Sequence, residues 1–199
     1  MAQQSLYFQT KLEDKVSLLP SQMVGNMENY LLQNLEVKVK DKVTEHGIVL
    51  KVNRIIEYDY GIISKNNFSG TAIYRVKYEC LICSPVKNLS IICLVENIVK
   101  GYIIAKNGPV IVAIPFNNID SDKFQLTNGN IVYKNNSNNI QKGDYVKVSI
   151  INIKTNLNEK KITTIAKLLD MATNDEIKSY ENDQLLIVDG DIDDKQEFI

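Results

Sequence analysis

Apolar positions along the chain change their period twice, and each change marks a boundary between elements. From Gln22 to Leu35, the residues Met23, Met27, Tyr30, Leu31 and Leu35 recur at helical spacing, behind Pro20 and a Ser21 suited to an N-cap. This predicts a helix over 22–35 whose stripe faces a core. Gly25 weakens it without forbidding it. Ahead of it, Val16-Ser17-Leu18 reads as the end of a short strand stopped by Pro20.

After the helix the period becomes two. Val37, Val39 and Val43 alternate with charged residues, and Ile48, Leu50 and Val52 continue the pattern to Ile56. Thr44-Glu45-His46-Gly47 then reads as the turn of a hairpin. A polar loop holding Gly61 and Gly70 follows. Ala72, Tyr74, Val76, Tyr78 and Cys80 next alternate with Ile73, Arg75, Lys77, Glu79 and Leu81, a long strand with one polar face, ended by Pro85.

A second β set starts near Leu89. Its strands are Ile91–Val95, Tyr102–Ala105, Val110–Ile114, Tyr145–Lys154 and Ile162–Leu168, with turns at Lys100-Gly101, Asn107-Gly108-Pro109 and Lys142-Gly143-Asp144. Five short strands, antiparallel in pattern, predict a small closed barrel. The Asn-rich stretch 128–139 reads as a surface loop. Residues 171–199 read as an acidic tail in which Leu185–Val188 could dock as a short strand. The fold class expected is α+β: a helix packed on an antiparallel sheet, then an all-β barrel.

Composition adds less than the distribution of charge. The chain has 199 residues, a hydrophobic share of 44% and a net charge of −1, an ordinary globular balance that argues against wholesale disorder. No apolar run reaches the roughly 20 residues that span a bilayer, so no membrane partner is expected. The first residues lack the basic-then-apolar order of a secretory signal, and an odd number of cysteines implies no disulfide framework. A reducing compartment is therefore expected. The net of −1 hides three regimes. Residues 1–86 carry about +1, residues 87–170 carry 11 basic against 6 acidic groups for +5, and residues 171–199 carry 9 acidic against 2 basic for −7. The matching division is 1–86, 87–170 and 171–199. Plentiful Asn, Ile and Lys point to an AT-rich genome.

Candidate chemistry is sparse. Cys80 and Cys83 form a C-x-x-C, but in a strand residues three apart face opposite ways, and a structural zinc needs four ligands. Buried strand cysteines are expected, with no metal and no cofactor. His46 is the single histidine and sits at a turn, and no nucleophile elbow or phosphate-cradling loop is present. The pattern points to a binding protein and away from an enzyme.

The clearest local signal is Lys142-Gly143-Asp144-Tyr145-Val146-Lys147-Val148-Ser149-Ile150, followed by Lys160-Lys161-Ile162-Thr163-Thr164-Ile165-Ala166. It resembles the closing half of the S-one type OB fold, an RNA-binding barrel that holds single strands with basic and aromatic side chains. Surface candidates for RNA are Lys100, Tyr102, Lys106, Phe116, Lys134, Tyr145 and Lys147. The family's aromatics just before the first Gly and two residues after it, and its later His, are replaced here by Lys100, Ile103 and about Ala113.

With both halves in view, the chain resembles the stalk subunit of archaeal and eukaryotic RNA polymerases, the family of the seventh-largest subunit of RNA polymerase II and archaeal RpoE. Four segments carry the likeness: Leu12 to Pro20, Thr44 to Val49, Val76-Lys77-Tyr78 with Pro85 and Lys87, and Gly101 with Gly108-Pro109. The resemblance covers about residues 6–170 and leaves the tail as an addition. It implies a non-catalytic subunit whose N-terminal tip domain docks on the polymerase core near the clamp. The matching core-docking positions are Thr44, Glu45, His46, Gly47, Ile55, Tyr58, Asp59 and Gly61, with Asp59 standing where the family often has glycine. The barrel would contact nascent single-stranded RNA, and a smaller helical stalk subunit would pack alongside. A large-DNA-virus origin is implied, with action at the site of transcription: virion and viral factory in the host cytoplasm, or the nucleus if the source is cellular. The competing readings are a free-standing single-stranded RNA-binding OB protein and, further off, an enzyme.

Overall fold

In the computed structural model the described residues are 5–63, 65, 68–127, 130–134 and 138–192. The chain divides into two compact units, residues 7–83 and residues 1–6 with 84–199.

The first unit opens with strand β1 (Tyr7–Leu18) and a 3-10 turn at Pro20–Gln22. Helix α1 (Met27–Val39), β2 (Val43–Thr44), β3 (Gly47–Tyr58), β4 (Ile62–Ile63) and β5 (Ala72–Cys83) follow. The sheet runs β1-β5-β3-β2, with β4 also pairing β5. β5 is the spine: it is antiparallel to β1 from Tyr7↔Cys83 to Leu18↔Ala72, and to β3 from Ile48↔Cys83 to Tyr58↔Val76. Its alternation sets the two faces. Ala72, Tyr74, Val76, Tyr78, Cys80 and Ile82 share one core with Val16 and Leu18 of β1, Val49 and Val52 of β3, and Leu31, Leu35 and Val39 of α1. The opposite face carries cross-strand ion pairs, Arg75–Glu13 at 3.2 Å, Lys77–Glu57 at 2.8 Å and Arg54–Glu79 at 2.8 Å. β3 shifts register three times against β5, between Val49 and Lys51, Val52 and Arg54, and Ile55 and Glu57. Each extra residue bends the strand and turns later side chains away from strict alternation.

Two readings of this unit are corrected. The helix covers 27–39 rather than 22–35, with Asn26 in place of Ser21 at its N-cap. Gly25 at φ +78° breaks the chain ahead of it. Leu31, Leu35 and Val39 lie four apart and continue one helical face, which leaves Val37 78% exposed. The alternation of Val37 and Val39 belongs therefore to a helix. β1 is also longer than a short strand, because it pairs β5 along its whole length. The hairpin turn stands as read: Thr44 pairs Gly47 across Glu45-His46, and Gly47 takes φ +127°.

The second unit contains β6 (Ser90–Val99), β7 (Tyr102–Asn107), β8 (Val110–Pro115) and a 3-10 turn at Phe116–Asn118. After these come β9 (Phe124–Thr127), β10 (Asn130–Tyr133), β11 (Asn138–Asn139), β12 (Tyr145–Lys154), β13 (Ile162–Met171) and helix α2 (Asn174–Ile192). β12-β13-β8-β7-β6 close into a barrel. This connectivity is that of the OB fold, a five-stranded Greek-key barrel. Ile103, Ile114, Val148, Ile150, Ile162 and Leu168 fill it and are inaccessible to solvent.

Three differences arise here. One barrel seam is parallel, Ile162↔Val110 to Ile165↔Ala113, where an antiparallel set was expected. Closing five strands in this order requires it. The stretch expected as an Asn-rich loop forms part of a small antiparallel sheet β11-β10-β9, anchored by buried Ile131 and Phe124; residues 128, 129 and 135–137 lie outside the described residues. Residues 174–192 are helical, so Leu185–Val188 is not a strand. The cause is a capping box: the Thr173 N–H donates to Glu176 Oε2 at 3.0 Å, and the Glu176 N–H donates to Thr173 Oγ1 at 3.4 Å.

Candidate nucleic-acid interface and docking loops

The barrel candidates separate into distinct groups. Lys100 and Gly101 form the β6–β7 turn, with Gly101 at φ +101°. Tyr102 starts β7 and pairs Pro115, and the Phe116 N–H donates to Gly101 O at 2.9 Å. Lys100, Tyr102 and Phe116 are thereby gathered at one end of the barrel. Lys100 is exposed, Tyr102 half-exposed and Phe116 partly covered. A cation beside two partly exposed rings has the chemistry to hold a phosphate and stack a base.

A second group lies on the outer wall. Tyr145 of β12 pairs Leu94 of β6, which pairs Lys106 of β7, so the three share one face along a row. Lys147 follows two residues on and pairs Ile92. Helix α2 lies against this wall. Glu176 Oε1 accepts from Lys147 Nζ at 2.6 Å. The Tyr180 ring meets the Tyr145 ring edge-on at 5.4 Å. Gln184 Nε2 donates to Asn107 Oδ1 at 3.0 Å. Burial works against the Glu176 carboxylate, yet the Lys147 ammonium and the Thr173 N–H outweigh it and hold its pKa below the ordinary value. Burial pushes the Tyr180 hydroxyl up to about 12.

Lys106 is engaged differently, in an ion pair with Glu96 at 2.6 Å. The hydrogen bond from Lys106 is the largest influence lowering the Glu96 pKa; burial opposes it, and the charges of Lys106, Lys161 and Lys142 add to the lowering. Lys142 and Lys161 thus sit within electrostatic reach of this wall, although the sequence suggested Lys142 only as a turn residue and Lys161 only as the lead into the last strand. Lys134 stands apart. It follows β10, and its Nζ donates to Ser121 O at 2.6 Å.

The docking candidates occupy two places in the first unit. At the β2–β3 turn the Thr44 hydroxyl donates to Gly47 O at 2.8 Å, and the His46 N–H donates to Thr44 Oγ1 at 3.2 Å. This leaves Glu45 and His46 exposed at the tip while Gly47 is buried. The second place is the end of β3. Ile55 is half-buried, and Tyr58 meets Tyr74 edge-on at 6.4 Å. The Asp59 N–H donates to Arg75 O at 3.0 Å, and Gly61 lies against the Tyr74 ring.

Sequence reasoning missed the most exposed residues of this second place. Tyr60 is 97% exposed, and Ile62 and Ile63 of β4, which follow it in the chain, are exposed as well. The signal was available: Tyr58-Asp59-Tyr60-Gly61-Ile62-Ile63 is an apolar run through a glycine turn with one charge. Clustered exposed apolar groups of this kind mark interaction surfaces.

The three cysteines are buried free thiols. Burial raises Cys80 to about 11, Cys83 to about 12 and Cys93 further. Among the described residues no three His, Cys, Asp or Glu side chains come together to hold a metal, and no helix is long and apolar enough to cross a membrane.

Comparison with known proteins bears on all of this. Residues 13–70 match the family described as the SHS2 domain found in the N terminus of Rpb7p/Rpc25p/MJ0397. Over its full length, and the full length of the relative, the chain is 97% identical to a protein of Acanthamoeba polyphaga mimivirus named as a DNA-directed RNA polymerase subunit. It is 26% identical over 158 residues, 77% of this chain and 88% of the relative, to DNA-directed RNA polymerase II subunit RPB7 of Glycine max.

Proposed function

This chain belongs to the Rpb7-like stalk subunits of DNA-directed RNA polymerase, in a viral form, and on that premise we propose how its two units serve transcription. The subunit is non-catalytic and has the other polymerase subunits as partners. Its site of action is where the viral polymerase transcribes; the virion and a factory in the host cytoplasm are the compartments we assign to it.

In this reading, residues 7–83 are the tip domain, with α1 packed over the sheet, and they dock on the core near the clamp. The observation that carries the assignment is the exposed apolar turn Tyr60, Ile62 and Ile63. Apolar area of this kind costs free energy in water and is stabilised by burial, at about 25 cal/mol per Å². Glu45 and His46, on the β2–β3 turn, form a second, polar contact.

The barrel meets nascent single-stranded RNA as it leaves the core. Lys100, Tyr102 and Phe116 supply a cation and rings, Lys134 adds a cation on the β9–β11 sheet, and the surplus of +5 over residues 87–170 attracts phosphate without reading sequence. A smaller helical subunit completes the stalk. Replacing Lys100 by Glu and Tyr102 by Ala is expected to weaken crosslinking of nascent RNA to this subunit in the assembled polymerase. Unchanged crosslinking would remove the barrel end from the RNA path.

A further inference from the structure

Helix α2 carries the strongest charge of opposite sign to the barrel, and it lies on the barrel wall. Its residues 174–192 hold six acidic groups against one basic, a net of −5, facing a net of +5 over residues 87–170. The contacts are specific. A carboxylate oxygen of Glu176 sits 2.6 Å from Lys147 Nζ, where a phosphate oxygen would bind. Tyr180, only 7% exposed, covers the edge of the Tyr145 ring at 5.4 Å, where a base would pack. Both partners lie on adjacent turns of one helix, and their targets lie two residues apart on one strand face.

We propose that Tyr145 and Lys147 form a second single-stranded RNA site on the barrel wall, and that α2 is a built-in competitor occupying it through Glu176 and Tyr180. The site holds a phosphate on Lys147 and a base on Tyr145, with Lys106, Lys142 and Lys161 flanking it. RNA gains the wall only when α2 lifts away, so the subunit binds weakly when alone and more strongly once α2 is displaced. α2 is suited to displacement. Its link to Lys147 is a partly exposed ion pair of the kind that contributes little by itself, and Leu185 and Leu186 of the same helix face solvent.

The proposal rests on the reading of the barrel as an RNA-contacting domain, but its test is separate. The full chain is made with Glu176→Gln and Tyr180→Ala. Glutamine keeps the capping box with Thr173 while removing the charge. Binding of a fluorescent oligouridine is then measured by anisotropy at several salt concentrations. The double variant is expected to bind about five- to tenfold more tightly than the native chain, with a steeper salt dependence. Adding Lys147→Gln is expected to return affinity to the native level.

Glu176→Gln alone leaves the aromatic contact in place and guards against a folding defect. It is expected to give a smaller gain in the same direction. Unchanged affinity in both variants, or a gain that Lys147→Gln leaves intact, overturns the proposal. Such a result would leave the Lys100–Tyr102–Phe116 contact standing, because that is read from crosslinking in the assembled polymerase.

Discussion

Gly61 lies directly on the ring of Tyr74: a Cβ added at Gly61 would stand 2.5 Å from Tyr74 Cζ and 2.7 Å from its hydroxyl oxygen. No methyl fits there. Tyr74 is itself buried in the core of the first unit and meets Tyr58 edge-on. The glycine thus lets the exposed turn pass over a core aromatic. Gly61→Ala is expected to destabilise the fold by about 1–3 kcal/mol, the usual cost of overpacking. In a Tyr74→Leu background, where the ring is gone, the added cost of Gly61→Ala should be smaller. Thermal melts of both variants check this, and an unshifted melting point for Gly61→Ala would contradict it. Large substitutions at Gly61 therefore report on folding, and the proposed docking surface is better probed at Tyr60 and Ile62.

The thiols give a second expectation. Cys80, Cys83 and Cys93 are buried, and burial raises all three. Thiolate is the reactive form. A disulfide-exchange reagent at mildly alkaline pH should label none of the three in the native chain and all three after denaturation. Rapid native labelling of even one would contradict the packing of β5 or β6.

Acid should loosen the β9–β11 sheet. Asp170 accepts from Lys123 Nζ, from the Tyr133 hydroxyl at 2.9 Å and from the Met171 N–H at 2.9 Å. Burial alone would raise its pKa, but these donors outweigh it and hold it below the ordinary value. A depressed carboxylate contributes its full stability above the unfolded Asp range. That contribution is lost as pH falls through the lowered value. The Tyr133 resonances should therefore hold their native positions through the ordinary Asp range and shift only as pH falls through the lowered value. Asp170→Asn should abolish that acid step. An acid step that persists in the variant would assign it to another group.

Much of the fold was legible because its signals are local. Alternation along Ala72–Cys80 and in the five barrel strands fixes which side chains face inward, and the glycine turns at Gly47 and Gly101 fix where strands reverse. The errors fell where one pattern serves two periods. Val37 and Val39 fit a strand, yet Val39 completes the Leu31–Leu35 helical face. The parallel seam between β8 and β13 depends on closing the barrel, which no local pattern encodes. The start of α2 could have been found. Thr173-Asn174-Asp175-Glu176 ahead of Ile177 is a capping box, hidden because the surrounding acidity reads as a solvated tail.

The candidate site was legible in its residue types but not in its grouping. Lys100, Tyr102 and Phe116 come together because the β6–β7 turn bonds to the residue after β8. Tyr145 and Lys147 are separated from them by belonging to the wall under α2. Exposure of Tyr60 and Ile62 is set by where the β3–β5 sheet ends, which the apolar run itself does not reveal.

We propose that the exposed turn of the first unit holds this chain on the polymerase core. The most direct measurement is affinity purification of the tagged chain from infected cells, native beside a Tyr60→Asp and Ile62→Asp double variant. Both substituted side chains are exposed, so folding should be unaffected. The two largest polymerase subunits are expected to copurify with the native chain and to be lost from the double variant at equal expression. Full recovery of those subunits with the variant would contradict the docking assignment, and their absence from the native purification would contradict the stalk itself.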